Sequence, residues 1–234
     1  GLDSSYMTHN NKPSAIEKIK AEIERLKKEL KKRKKYGLVW EEKREDVVEM
    51  CKEKLPVLKE VKSKKIITDP KEKQTFYGTG KEKPVNLLIE GDNYHVLSVL
   101  NYTHAKKVDV IYIDPPYNTG NKDFIFNDHY VDKEDAYRHS KWLSFMEKRL
   151  RLASNLLKET GIIFISIDDN EASQLKLLCD EIFGEMNLLE IFYLQVRYAS
   201  KSLNEKDPFQ KLIEQVLIYA RNKNKFTPKE SEEI

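Results

Sequence analysis

Residues 108–113, VDVIYI, are apolar at every position but Asp109, and the run stops on Asp114-Pro115-Pro116-Tyr117. A stretch that is apolar on both faces suits a strand inside a parallel sheet, where helices cover both sides. The neighbouring sequence has the same texture. VNLLIE (85–90) reads as a strand, Gly91-Asp92-Asn93 turns into a short helix carrying Val96, Leu97 and Leu100, and GIIFISI (161–167) forms a third strand ending on Asp168-Asp169-Asn170. Between them Asp132 can cap a helix running to about Lys158, with Trp142, Met146, Ala153 and Leu157 on its inner face and Gly161 closing it. A helix from Glu171 to Phe183 stops at Gly184, and LLEIFYLQV (188–196) and LIEQVLIYA (212–220) follow as strands. Strands alternating with helices predict an α/β fold with a doubly wound, mostly parallel sheet. Ligands gather at the carboxyl ends of such strands. Three of those ends carry acids, at Glu90 to Asp92, Asp114, and Asp168 to Asp169, which points to a shared polar cleft.

The segment before residue 85 has a different character. Residues 1–10 read as a cloning remnant or unstructured start ahead of a native beginning at Met7. Residues 11–58 read as a charged helical extension. Ile16, Ile19, Ile23, Leu26 and Leu30 recur at spacings of three and four, an apolar seam that docks on its own domain or on a second subunit. A second helix is expected from about Trp40 to Leu55, where Pro56 ends it. Residues 59–84 are polar and Lys-rich and form a linker or arm, residues 85–222 form the main domain, and residues 223–234 are a polar tail.

Charged residues make up 35% of the chain, yet 10% is aromatic, which favours a folded domain with highly charged attachments over disorder. Net charge is only +3, but Lys and Arg crowd residues 18–35 and recur at Lys141, Lys148, Arg149 and Arg151. That distribution fits an acidic partner such as nucleic acid, and equally fits solvated helix faces. Gly78-Thr79-Gly80-Lys81 lacks the upstream glycine, the following Ser or Thr and the helix of a phosphate loop, so nucleotide triphosphatases are excluded. His95, His104, His129 and His139 show no metal-ligand spacing, so no metal is expected. Cys51 and Cys179 read as reduced thiols of a cytoplasmic protein, and no apolar run is long enough for a membrane span.

Asp114 to Tyr117 combine in a way that turn formation alone does not require. A carboxylate at a strand tip and the Pro115 carbonyl, fixed by two proline φ angles, form a rigid pair of acceptors. That pair suits a planar amino group with two hydrogens, and Tyr117 offers a face for a flat ring. DPPYNTG, preceded by an apolar strand and by LLIEGDNYHVL, resembles the N6-adenine DNA methyltransferases, in particular the modification (Mod) subunit of type III restriction-modification systems. The resemblance covers about residues 85–221, including KWLSFMEKRL, GIIFISIDDNE and FQKLIEQVLIYARN.

The resemblance implies a Rossmann-like S-adenosylmethionine-dependent methyltransferase fold, methylating adenine N6 in double-stranded DNA without a metal. Asp114, Pro115, Pro116 and Tyr117 would be catalytic. Asp92, Asn93, Asp114 and Asp168 would line the S-adenosylmethionine site, although Asp92 can equally be an N-cap. Asn118 to Asp123 would form a mobile loop over DNA, with Asn118, Lys122 and Lys141 as DNA contacts. A restriction (Res) helicase-nuclease subunit and a second copy of the chain are the implied protein partners. The family's cofactor-binding glycine motif, FxGxG at the end of another strand, is expected to be absent from the chain. The chain therefore reads as the N-terminal, catalytic portion of a longer enzyme with an incomplete sheet, its missing strands falling between VNLLIE and VDVIYI, and without activity of its own if the cofactor pocket is incomplete. The alternatives are an N4-cytosine methyltransferase and a non-catalytic DNA-binding or scaffold remnant.

Overall fold

The computed structural model describes residues 16–17, 19–20, 22–26, 38–66, 86–196 and 212–228. They belong to two units, residues 1–39 and 40–234. In the first, residues 16–17, 19–20 and 22–26 are helical, as the spacing predicts, and Ile16, Ile19, Ile23 and Leu26 are exposed. Leu30, the last position of that seam, lies outside the described residues.

The second unit runs α1 (Asp46–Glu53), α2 (Asn93–Thr103), β1 (Val108–Ile113), β2 (Ile125–Phe126), β3 (His129–Tyr130), α3 (Arg138–Leu156), β4 (Leu157–Ile167), α4 (Ala172–Cys179), β5 (Leu188–Gln195) and β6 (Ile213–Ala220). Four strands form one sheet in the order β1-β4-β6-β5, and β2 and β3 make a separate hairpin. The fold is mixed α/β with a partial sheet. Among the described residues only β1 and β4, joined across α3, pair in parallel; β6 runs antiparallel to both β4 and β5. The mostly parallel sheet read from the sequence is thus corrected. β5 and β6 are neighbours in sequence with no described helix between them, so the chain returns beside itself in the opposite direction.

One face of this sheet is covered. Ile163, Ile165, Ile167, Leu217 and Tyr219 are at most 1% exposed, and they share the core with Trp142 and Leu150 of α3 and Leu175 and Leu178 of α4. On the opposite face Val110 and Tyr112 are 56% and 64% exposed. VDVIYI is therefore a strand, as expected, but an edge strand covered on one side among the described residues. VNLLIE is not a strand: residues 86–90 have no regular structure, and Leu88 is 99% exposed. A strand needs a neighbour for its backbone N–H and C=O groups. Among the described residues β1, the sheet's edge, bonds only to β4.

Local chemistry sets the other boundaries. The helix expected from Trp40 begins only at Asp46, because the segment before it is engaged elsewhere: Lys43 N donates to Ser144 Oγ at 2.9 Å and Asp46 N to Asn127 Oδ1 at 2.9 Å. The helix expected from Asp132 begins at Arg138. Asp132 and Asp135 instead accept from the backbone N–H of Glu134 (2.9 Å) and Tyr137 (2.8 Å), making two successive turns. Gly161, expected as that helix's stop, lies inside β4, which starts at Leu157. A Cβ there would lie 3.0 Å and 3.1 Å from the carbonyl oxygens of Val108 and Asp109, so glycine permits the close approach where the β1–β4 register shifts.

Candidate active site

β1 ends at Ile113, and β4 ends at Ile167, just past Ile165, the partner of Ile113. Asp114 and Asp168 therefore leave adjacent parallel strands at the same end of the sheet. Glu90 to Asp92 follow no strand. Two of the three expected acidic strand ends are present.

The corner is rigid for identifiable reasons. Both prolines fix their φ angles. The indole Nε1 of Trp142, whose ring is fully buried in α3, donates to the Pro116 carbonyl at 2.7 Å. Asn118 then turns the chain with φ +57°, a left-handed conformation that asparagine tolerates better than most residues. Its side chain is fully buried and donates through Nδ2 to Glu171 Oε1 at 2.5 Å and to the Arg138 carbonyl at 3.3 Å. Held from beneath in this way, the corner presents Asp114 to solvent. The Pro115 carbonyl accepts no hydrogen bond from any described residue. Tyr117 is half-buried, and its hydroxyl donates to Glu214 Oε2 of β6 at 3.1 Å. Burial, that hydrogen bond to Glu214 and the nearby Asp114 push the Tyr117 hydroxyl up from its ordinary value, so it stays protonated as a donor.

The loop that follows is a compact turn. Thr119 N donates to Asp123 Oδ2 at 2.8 Å and Asn121 N to Thr119 Oγ1 at 3.2 Å. Gly120, at φ +80°, sits so close to the Lys133 backbone that a Cβ would be 2.6 Å from its Cα.

The remaining sequence-predicted residues divide into engaged and accessible groups. Asp92 caps α2, accepting from Tyr94 N at 2.8 Å, and lies 3.6 Å from Arg149 Nη2. Asn93 Oδ1 accepts from Arg149 Nε at 2.5 Å. Both nevertheless remain exposed. Asp168 is buried and accepts from the backbone and side-chain amides of Asn170 at 2.9–3.0 Å. Lys141 is tied to Asp135 at 2.5 Å, whereas Lys122 is exposed at φ +60°. Asn118 faces the interior rather than the surface.

Three participants escape sequence reasoning. Glu171 reads as a helix start, yet its carboxylate is fully buried beneath the corner. Burial pushes its pKa up to about 8, helped by Asp168 and opposed by the Asn118 hydrogen bond and by Arg138. Glu214 is a charge inside an apolar strand, a signal that could have marked it. Trp142 belongs to the core by its helical spacing, which its ring satisfies, but nothing in that spacing reveals where its N–H points. The expected absence of FxGxG is corrected by the sequence itself, which carries those letters at Phe76-Tyr77-Gly78-Thr79-Gly80, outside the described residues.

Residues 108–233 match the family model described as DNA methylase, the N6/N4 methyltransferases. The chain is 41% identical over 162 residues to the Mod subunit of the type III restriction-modification enzyme EcoPI of Escherichia phage P1, covering 59% of this chain and 25% of that one. It is 43% identical over 159 residues to the StyLTI Mod subunit of Salmonella typhimurium, covering 58% and 24%. It is 50% identical over 101 residues to the type II methyltransferase M.KpnI of Klebsiella pneumoniae, covering 42% and 24%. The chain thus spans about a quarter of the length of these curated relatives. Among solved structures, a DNA modification methylase from Thermus thermophilus complexed with S-adenosyl-L-methionine aligns at TM-score 0.42 and 14% identity, covering 59% of this chain and 54% of that one. The family match begins at the first residue of β1, takes in the Asp114–Tyr117 corner and its supports on α3, α4 and β6, and covers more than half of the sequence: this chain belongs to the N6/N4 DNA methylase family.

Proposed function

We propose that this chain is the catalytic portion of a type III Mod-like methyltransferase that modifies the N6 amino group of a flipped-out adenine in double-stranded DNA. The observation that carries this reading is the division of labour at the corner. The Pro116 carbonyl is bound by Trp142 and the Tyr117 hydroxyl by Glu214, while Asp114 stays exposed and the Pro115 carbonyl takes no described donor. Two fixed acceptors are what an amino group with two hydrogens requires. Adenine N6 is a poor nucleophile because its lone pair is delocalised into the ring; accepting both hydrogens favours a pyramidal nitrogen with a localised lone pair. Asp114 also stabilises the positive charge that develops on nitrogen and is placed to take its proton. Positioning supplies the rest of the rate.

The base is paired inside duplex DNA and must leave the stack at a cost of a few kcal/mol. Tyr117, its hydroxyl pinned by Glu214, offers a ring held in one orientation for stacking, an interaction worth about 1–3 kcal/mol. S-adenosylmethionine, when bound, supplies the electrophilic methyl group. The exposed carboxylates of Asp114 and Asp92 and the exposed Asn93 fit the hydroxyl and amino groups of such a nucleoside. Asp168, bonded to Asn170, shapes the strand end beside them. Lys122 is the accessible cation for a DNA phosphate, and Lys141 acts there only by leaving Asp135. A restriction (Res) subunit and a second copy of this chain are the protein partners consistent with Mod-type relatives, in a cytoplasmic setting.

Incubation with double-stranded DNA of mixed sequence and tritiated S-adenosylmethionine, followed by nucleoside chromatography, tests this, with a full-length Mod subunit as positive control. Label in N6-methyladenine is the expected result. Label in N4-methylcytosine overturns the adenine assignment, and DNA binding without transfer overturns catalysis by this chain. Asp114→Ala is expected to abolish transfer while leaving DNA affinity within a few-fold. Tyr117→Ala is expected to weaken turnover about ten-fold or more, the loss of one stacked base.

A further inference from the structure

Beneath the corner lies a cluster of polar atoms that the catalytic proposal does not use. Glu171 Oε1 accepts from Asn118 Nδ2 at 2.5 Å and is 2.7 Å from His139 Nδ1. Three atoms of the cluster are buried without a hydrogen-bond partner among the described residues: Asn118 Oδ1, Glu171 Oε2 and Arg138 Nη1. An orphaned buried acceptor is costly, because it has given up water without gaining a partner. Two acceptors orphaned on residues that already share a hydrogen bond suggest that one of them carries a proton.

We propose that Glu171 is a positioning residue for the Asp114–Tyr117 corner, holding the Asn118 side chain as a carboxylic acid holds a primary amide, with one hydrogen bond in each direction. Asn118 Nδ2 donates to Oε1, and a proton on Oε2 makes that atom the donor that Asn118 Oδ1 lacks. The rest of the cluster agrees with this assignment. Arg138 Nε donates to His139 Nε2 at 3.2 Å, so Nε2 is unprotonated and the ring's proton sits on Nδ1, where it donates to Oε1. Burial and the neighbouring Arg138 guanidinium hold the His139 imidazolium below its ordinary pKa, which keeps the ring neutral. The groups facing Glu171 are Asn118 from the loop, Arg138 and His139 from the start of α3, and Asp168 from the end of β4; burial outweighs Arg138 and the Asn118 contact and leaves the acid form stable up to about pH 8.

The consequence reaches the corner through one residue. Asn118 follows Tyr117 directly and adopts a left-handed backbone that its side-chain contacts secure. Losing the proton sets two acceptors against each other and loosens that anchor. The catalytic meaning of this device rests on the adenine-methyltransferase reading above, whereas the coupling itself can be measured without it.

Trp142 is the reporter, because its indole N–H donates to the Pro116 carbonyl, inside the corner, while Glu171 is on the far side of Asn118. The chain has two tryptophans, so Trp40→Phe leaves Trp142 as the sole indole signal in a ¹H–¹⁵N spectrum. Titrated from about pH 6 to 10, well above the ordinary carboxylate range, that signal is expected to shift with an inflection near 8. Glu171→Gln keeps an acceptor and supplies a permanent donor, so the low-pH position persists and the inflection disappears. Glu171→Ala displaces the signal at every pH. A flat profile in the parent, an inflection that survives Glu171→Gln, or a Glu171→Ala signal coincident with the parent overturns the proposal. Should Glu171→Ala fail to fold, the Glu171→Gln titration decides alone. Absence of methyl transfer with the coupling intact refutes the catalytic reading and leaves this one standing.

Discussion

Among single residues, the site depends on buried polar groups whose partners are specific. Arg149 is the clearest. It is 6% exposed, stacks its guanidinium 3.6 Å from the Phe145 ring centroid, and bonds Glu45 through Nη1 at 3.1 Å and Nη2 at 2.6 Å while Nε holds Asn93. Arg149→Met leaves Glu45 as an unpaired buried carboxylate, and a cost of about 3–5 kcal/mol is expected in urea unfolding. Lysine should restore little of it, because it lacks the planar fork. Glu171 behaves in the opposite sense. Its folded-state pKa of about 8 lies above the ordinary 4.5, so the folded protein binds the extra proton between these values. The stability this confers is full below the ordinary value and is lost as pH rises through about 8. Unfolding free energies measured across that window should fall with rising pH in the parent chain and flatten in Glu171→Gln.

Among the helices and strands, α3 carries the most. One face supplies Trp142, Met146 and Leu150 to the core, while its first turn supplies Arg138 and His139 to the cluster under Asn118. Leu150→Ala, at a fully buried site, should cost about 2–5 kcal/mol and disturb the corner as α3 shifts. The loop after the corner tests a different property. Gly120→Ala brings a Cβ against the Lys133 backbone at φ +80°, and thermal unfolding should show a loss of about 1 kcal/mol or more. The β2–β3 hairpin shows how such elements interlock. Asn127 and Asp128 both have positive φ, as a tight two-residue turn requires, and the Asn127 side chain also donates to the Arg44 carbonyl at 3.0 Å. No strand is expected there from the sequence, because a two-residue strand leaves no periodicity to detect.

Across the molecule, the described sheet packs α3 and α4 on one face and carries at its edge β1, whose Val110 and Tyr112 are exposed on the other, with the corner at the end of that strand. The order of amino acids was enough to specify the strands read at 108–113, 161–167, 188–196 and 212–220, found as β1, the end of β4, β5 and β6, together with the inner face of α3 and the family to which the Asp114–Tyr117 corner belongs. These are properties of apolar periodicity, proline geometry and side-chain type, which local sequence carries. Contacts in the folded chain settle the rest: that β6 runs antiparallel, that residues 86–90 are not a strand, and that Asn118 turns inward to Glu171. Strand direction and pairing depend on which partner is available. VNLLIE has the composition of a strand but no described neighbour to bond. Equally, Glu171 and Glu214 are ordinary acids in sequence, and only folding places one beneath Asn118 and the other on the Tyr117 hydroxyl. Burial and distance, which change an acid's charge and its reach, arise from contacts between segments more than 50 residues apart.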